Sequence, residues 1–489
     1  MADISRSFLP GLSQRASHAA WHVRGGHRFV WYALLGPGLA LFVGLLLLRS
    51  TAEDPVRNLA ISQAACLALA PPDVPSEQNA ATDYKAAQAA KVAWVSPTTS
   101  SKYPSDHPEM MLSRDSRYLD EPAVQQYFKA NDNAAKLLRA GAAKERCNWG
   151  LNYAGGNGMR MPHLVQLRDS ARLLAGHARA SAHSGDHQTA VEDIQALYAM
   201  ARHLEADPVL ICGLVSVAIS AIADEVVEAI VNYDTPVKLE DVQAYRSVVW
   251  LDRRPRDHCV RYMAGEKASG LYTMDSLFAN PSGPMAGTLG VGPTFPASGG
   301  LPFYGGERRC YVAVMDEMAA RFQRGESIDD TAIMALIDSR QEGTGIFVRL
   351  VVPVLDRVNI AFCRGAEKAR VVDAGLAVLA YRLKHGRDPK TLEELVPEFM
   401  PSGVPHGVFH DQPLRLRVDP EGVVESDRPA HKTFRRDRGV LRIYTVGENG
   451  VDDGGLNDWQ GILPGTGKDD QFFCVPPIVR TPREEWKKK

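Results

Sequence analysis

The sequence predicts a mainly α protein: an N-terminal transmembrane helix, an exported helical bundle and a small C-terminal α+β region built on an antiparallel sheet. Three observations predict it. Phe29–Leu48 reads FVWYALLGPGLALFVGLLLL, twenty residues without a charge, the length an α-helix needs to cross a bilayer. Apolar residues recur at steps of three and four through most of 121–385, the signature of amphipathic helices. Beyond Pro401 the period changes to two, in Leu414-Arg415-Leu416-Arg417-Val418 and again in Val440–Val446, as half-buried strands require.

Residues 1–28 form a basic tail, with Arg6, Arg15, Arg24 and Arg28 against Asp3. Basic flanks stay cytoplasmic, which places the N-terminus inside and the body outside, across a bacterial inner membrane. The anchor occupies 29–49. Trp31 and Tyr32 stand where interfacial aromatics belong, and Pro37 between two glycines is tolerable in a membrane helix. The alternative is a cleaved signal peptide, whose apolar region is usually shorter and ends in a small-residue site. Here the run ends Leu45-Leu46-Leu47-Leu48-Arg49. A second apolar stretch, Val209–Ala223, has fifteen uncharged residues and is followed at once by Asp224-Glu225. That is short for a span and reads as a buried helix of the body.

Residues 50–120 are juxtamembrane helices and loops: Asn58–Leu69, a break at Pro71-Pro72, and an alanine-rich helix over Asn79–Trp94. The bundle follows over 121–385. Pro122–Ala143 reads as one helix. Arg160–Ser184 carries Leu164, Leu167, Ala171, Leu174 and Ala178 on one stripe. Ser184-Gly185-Asp186 is a turn with capping chemistry before Thr189–Ala206. Asp207-Pro208 then opens Val209–Tyr233, with proline in the first turn. Arg254–Phe278 is another helix. Residues 281–306 hold 8 glycines and 5 prolines, which neither helix nor strand propagates, so an irregular excursion is expected. Helix resumes at Arg309–Arg324, Asp329–Asp338 and Phe347–His385, closing on Gly386. Residues 386–478 form the small C-terminal region and 479–489 a charged tail.

The net charge of −2 and the dispersed basic residues exclude a nucleic-acid surface. The seven cysteines cannot all pair within one chain. Cys147, Cys259, Cys310 and Cys474 are the better disulfide candidates, while Cys212 and Cys363 read as buried hydrophobes. The glycine run Gly465-Thr466-Gly467-Lys468 fails as a phosphate loop, because Asp469 stands where Ser or Thr belongs. His183/His187 and His406/His410 lack the further ligands of a zinc site.

The run from Ala380, AYRLKHGRDPKTLEELVPEFMP, followed by QPLRLRV and GVLRIYTVGENGVDDGG, resembles the C-terminal region of the type II secretion major pseudopilin. The likeness spans ~95 residues. With the anchor and helical core, the chain also resembles exported, membrane-anchored proteins of planctomycete-type bacteria, a likeness that carries no activity with it. No acid lies within Phe29–Leu48, so the likeness does not extend to a prepilin helix. The resemblance implies calcium in the terminal loop, on Asn449, Asp452, Asp453 and Asp458, with Asp469-Asp470 further on. Hard oxygens on a glycine-rich loop suit that ion; the plain alternative is a solvated acidic turn. No catalytic constellation is legible. The leading expectation is therefore a single-pass envelope protein whose exported helical domain binds a protein partner. A pseudopilin-like assembly component and an envelope hydrolase are the alternatives.

Overall fold

The structure, a computed structural model, describes residues 53–94, 116–283, 300–324, 330–339, 356–419, 439–455 and 470–475, with short pieces at 108, 326, 348–349, 424–425 and 434–435. The expected anchor over 29–49 and both terminal tails lie outside the described residues. The body is mainly helical with a small antiparallel sheet.

Its helices are α1 Pro55–Leu67, α2 Ala80–Ala90, α3 Pro122–Ala130, α4 Asp132–Ala142, α5 His163–His183, α6 His187–Leu204, α7 Leu210–Ala229, α8 Leu239–Val248, α9 Pro255–Ala279, α10 Gly300–Arg324, α11 Asp330–Asp338 and α12 Asp356–His385. Local chemistry sets their ends. Asp54, Asn79 and Asp186 each accept a backbone N–H in the first turn of α1, α2 and α6, satisfying donors that a helix leaves unpaired. Proline opens α1, α3 and α9, where its missing N–H costs nothing.

Helices α5, α6 and α7 pack on one another, and α12 lies across α7. Leu167, Ala171, Leu174 and Ala178 of the α5 stripe are buried, as are Ile194, Leu197, Ala201 and Leu204 of α6. A second core, in which Tyr262, Met274, Tyr311, Met315, Met318 and Phe322 are buried, joins α9 to α10. One described helical stretch, Leu210–Asn232, is long and apolar enough to cross a membrane. It lies within the bundle, and its Asp224 is fully buried against Arg253. That ion pair marks it as a core helix of the body.

The sheet has the order β1 (Arg415–Asp419), β4 (Val440–Tyr444), β5 (Phe472–Val475), all antiparallel, with β2 (Val424–Glu425) and β3 (Phe434–Arg435) forming a separate hairpin. Leu416 faces Ile443 and Ile443 faces Phe473 across the ladder. The inner face packs on α12, where Gly375 lets the Phe473 ring approach the helix.

Several sequence expectations change. Pro122–Ala143 is two helices, because buried Asn131 accepts the N–H of Val92 (2.9 Å) and donates to the carbonyls of Val92 and Tyr127. The irregular excursion at 281–306 gives way to helix at Gly300, with Pro302 in the first turn of α10; residues 284–299 lie outside the described ones. All seven cysteines are buried and unbridged, including Cys147, Cys259, Cys310 and Cys474. Cys259, Cys310 and Cys474 sit on packed faces of α9, α10 and β5, and each behaves as a small hydrophobe there.

Candidate functional site

The chain between α6 and α7, Glu205-Ala206-Asp207-Pro208-Val209, is held by α9. Arg261 Nη2 donates to the Ala206 carbonyl (2.5 Å) and Glu266 Oε1 accepts the Leu210 N–H (3.2 Å). Above this turn opens a groove of about 340 Å³, lined by Pro71, Pro72, Arg146, Arg202, Glu205 and Arg261 among others. The three arginines are exposed. Arg202 lies over the Trp250 ring at 5.6 Å and makes no ion pair among the described residues. Arg146 spends one donor on the Asp73 carbonyl (3.1 Å). Burial lowers the pKa of His203, also on the groove, and its bond to the Lys144 carbonyl opposes this.

Glu205 forms the inner edge of the groove. Its Oε1 lies 3.2 Å from His258 Nδ1 and accepts from Ser216 Oγ (3.4 Å). Burial raises its carboxyl to about 7, opposed by Ser216 and the nearby arginines. Behind it is a void of about 10 Å³ bounded by Ser216, Ser220, Arg253, His258 and Phe362. That is room for a single water. Arg253 closes the void, donating to both oxygens of Asp224 (2.9 and 2.8 Å), to the Gly365 carbonyl (2.8 Å) and to the Trp250 carbonyl (3.0 Å). Tyr198 donates to the same Asp224 (2.7 Å).

The residues chosen from sequence lie elsewhere. Asn449, Asp452 and Asp453 share the turn after β4; Asp458 lies outside the described residues. Asn449 Oδ1 accepts the Val451 N–H (2.7 Å), and its amide nitrogen donates to Asp453 (3.1 Å). Asp452 pairs with Arg415 and accepts the Gly454 N–H (3.0 Å). Arg442, buried, donates to the Gly455 carbonyl (2.5 Å) and pairs with Asp419 (2.7 Å). The turn is thus braced by two arginines, and an ion at Asp452 would have to displace Arg415. The histidine pairs separate: His183 faces Asp120, His187 meets Tyr245, His406 meets Asp411 and His410 meets the Glu448 carbonyl.

Asp470 lies at the centre of this turn, fully buried, accepting the N–H groups of Gly455 (2.8 Å) and Gly447 (3.2 Å). Burial pushes its carboxyl up from 3.8 to about 6; the two N–H groups oppose this, and Asp453 and Asp452 add to it. The folded chain therefore holds this proton more tightly than the unfolded chain does. Its stabilising contribution is full below about pH 4 and is lost as pH rises through about 6. Between pH 4 and 7 the wild type should lose about 1–2 kcal/mol more stability than Asp470→Asn. Parallel pH profiles of the urea midpoint for the two chains would refute this.

Sequence reading missed Arg202, Glu205, Arg253, His258 and Arg261 as a group, since they come from two helices and two connections. The one available signal was Asp224 ending an apolar run, a charge that needs a buried partner. Among the described residues, one group of metal-capable donors converges, His163, Asp207 and Cys212, beneath the same turn. Comparison with known protein families, curated proteins and solved structures finds no match to this chain.

Proposed function

We propose that the chain is a single-pass protein of the bacterial inner membrane, N-terminus inside, whose exported helical body binds a protein partner. The groove over the α6–α7 turn receives an acidic segment of that partner. The observation that carries this reading is the convergence of Arg146, Arg202 and Arg261, all exposed, on one open groove. Guanidinium groups pair with carboxylates in a planar, two-point geometry, which gives an acidic segment both affinity and register. Supporting the placement are the uncharged run Phe29–Leu48 and its basic flank.

A hydrolase is favoured only by Glu205, a carboxyl held near neutrality beside Ser216 and His258. The order is unsuited to acyl transfer. Ser216 donates to Glu205 rather than to histidine, and the void behind them admits water but no substrate. Binding is the better use of this geometry.

The test has two arms. A reporter active only outside the cytoplasm, fused after Lys489, should be active; activity of only a cytoplasmic reporter would reverse the topology. For binding, the full chain in detergent is titrated with a panel of peptides graded in Asp and Glu content. Affinity should rise with acidity and fall with salt. Arg202→Glu/Arg261→Glu should weaken the best peptide more than about tenfold. Affinity that ignores peptide charge or the double substitution would sink the groove as the recognition site.

A further inference from the structure

His163 opens α5, Asp207 lies in the α6–α7 turn and Cys212 sits in the first turn of α7. All three are buried, at 4 %, 1 % and 0 % exposure. Their donor atoms lie within 4.8 Å of one another. Neither ring nitrogen of His163 has a hydrogen-bond partner, and neither does Asp207 Oδ2. A buried imidazole ordinarily satisfies at least one nitrogen, and a buried carboxylate both oxygens. A single central ion would take one of the two His163 nitrogens and Asp207 Oδ2, together with the Cys212 sulfur.

We propose that His163, Asp207 and Cys212 are the protein ligands of a zinc ion. The donor set is one imidazole nitrogen, one carboxylate oxygen and one thiolate. That mixture suits zinc and disfavours calcium and magnesium, which take oxygen alone. Around tetrahedral zinc such donors stand roughly 3.3–3.6 Å apart, closer than the 4.8 Å within which the three lie here. On binding, Cys212 releases its thiol proton to solvent, Asp207 coordinates through Oδ2, and His163 coordinates as neutral imidazole.

The neighbours already act as supports. Tyr153 donates to Asp207 Oδ1 (2.5 Å), leaving Oδ2 to the ion. Trp149 stacks on the His163 ring, centroids 4.6 Å apart and 25° between planes, fixing its orientation. Outer partners of this kind set ligand direction at metal sites. Met161 Sδ, 4.0 Å from Cys212 Sγ, walls one side. Three protein ligands leave a fourth position for water.

The experiment uses the full chain in detergent, stripped with chelator and then titrated with Zn²⁺ alone. Uptake should be stoichiometric, and the melting midpoint should rise with Zn²⁺. Cobalt in place of zinc should show a thiolate-to-metal charge-transfer band, lost in Cys212→Ser. Zinc uptake that survives His163→Phe/Cys212→Ser would place the ion elsewhere and overturn the proposal. So would absence of uptake and of any midpoint shift, which would leave a buried water as the occupant. If Cys212→Ser does not fold, the wild-type cobalt spectrum still decides: no thiolate band overturns the site.

Discussion

Replacing Arg253 by methionine is expected to lower the stability of the helical body by about 3–5 kcal/mol, read from urea unfolding of the full chain. Methionine keeps much of the aliphatic bulk and removes the guanidinium. The loss is large because Asp224 is fully buried in α7 and Arg253 bonds both of its oxygens. Deleting the cation leaves a buried carboxylate without its counter-ion. The same guanidinium also ties the Gly365 carbonyl of α12 and the Trp250 carbonyl before α9, so three segments lose a common tether. Arg253→Met/Asp224→Asn should recover part of the loss, since the neutral amide still accepts from Tyr198. A single-substitution loss below about 1 kcal/mol would mean the pair does not hold the bundle.

How much of this was legible from the chain depends on the range of the interactions. The limits of α5, α6 and α7 fall within a few residues of those expected. Their stripes, caps and turn residues are local, and Asp186 caps α6 from the position its sequence suggested. Strands β1 and β4 likewise follow from alternation. The break at Asn131 was not legible, because it depends on Val92, far away in the chain. Helix α8 and strand β5 were also missed: β5 is short, and its place is decided by pairing with β4. The candidate site was illegible for the same reason. Arg253 meets Asp224, and His163 meets Asp207 and Cys212, only after the helices have packed. The acidic loop was visible because its residues are consecutive. The sequence did not show that Arg415 and Arg442 reach into it from β1 and β4.

The second large effect is expected at Gly265, in the middle of α9. A Cβ built there would stand 1.7 Å from the Pro208 carbonyl oxygen. No side chain can turn away to relieve this, because the opposing atom is backbone. Either α9 retreats or the α6–α7 turn is pushed out, and both movements break contacts made on each side of it: the Arg261 bond to Ala206 and the Glu266 bond to Leu210. Gly265→Ala should therefore cost about 3 kcal/mol, the upper end for overpacking by one methyl group. The internal control is Gly365→Ala, where the added carbon meets Val217 at an ordinary 3.5 Å. Alanine favours a helix interior over glycine by roughly 0.5–1 kcal/mol, so that variant should be neutral or slightly more stable. Both glycines lie inside long helices, and what stands opposite the new methyl differs. Displacing Pro208 also displaces Asp207 and Ala206, so Gly265→Ala should weaken both acidic-peptide binding and zinc uptake, while Gly365→Ala leaves both intact. Equal stability of the two variants would show that α9 does not clamp the turn.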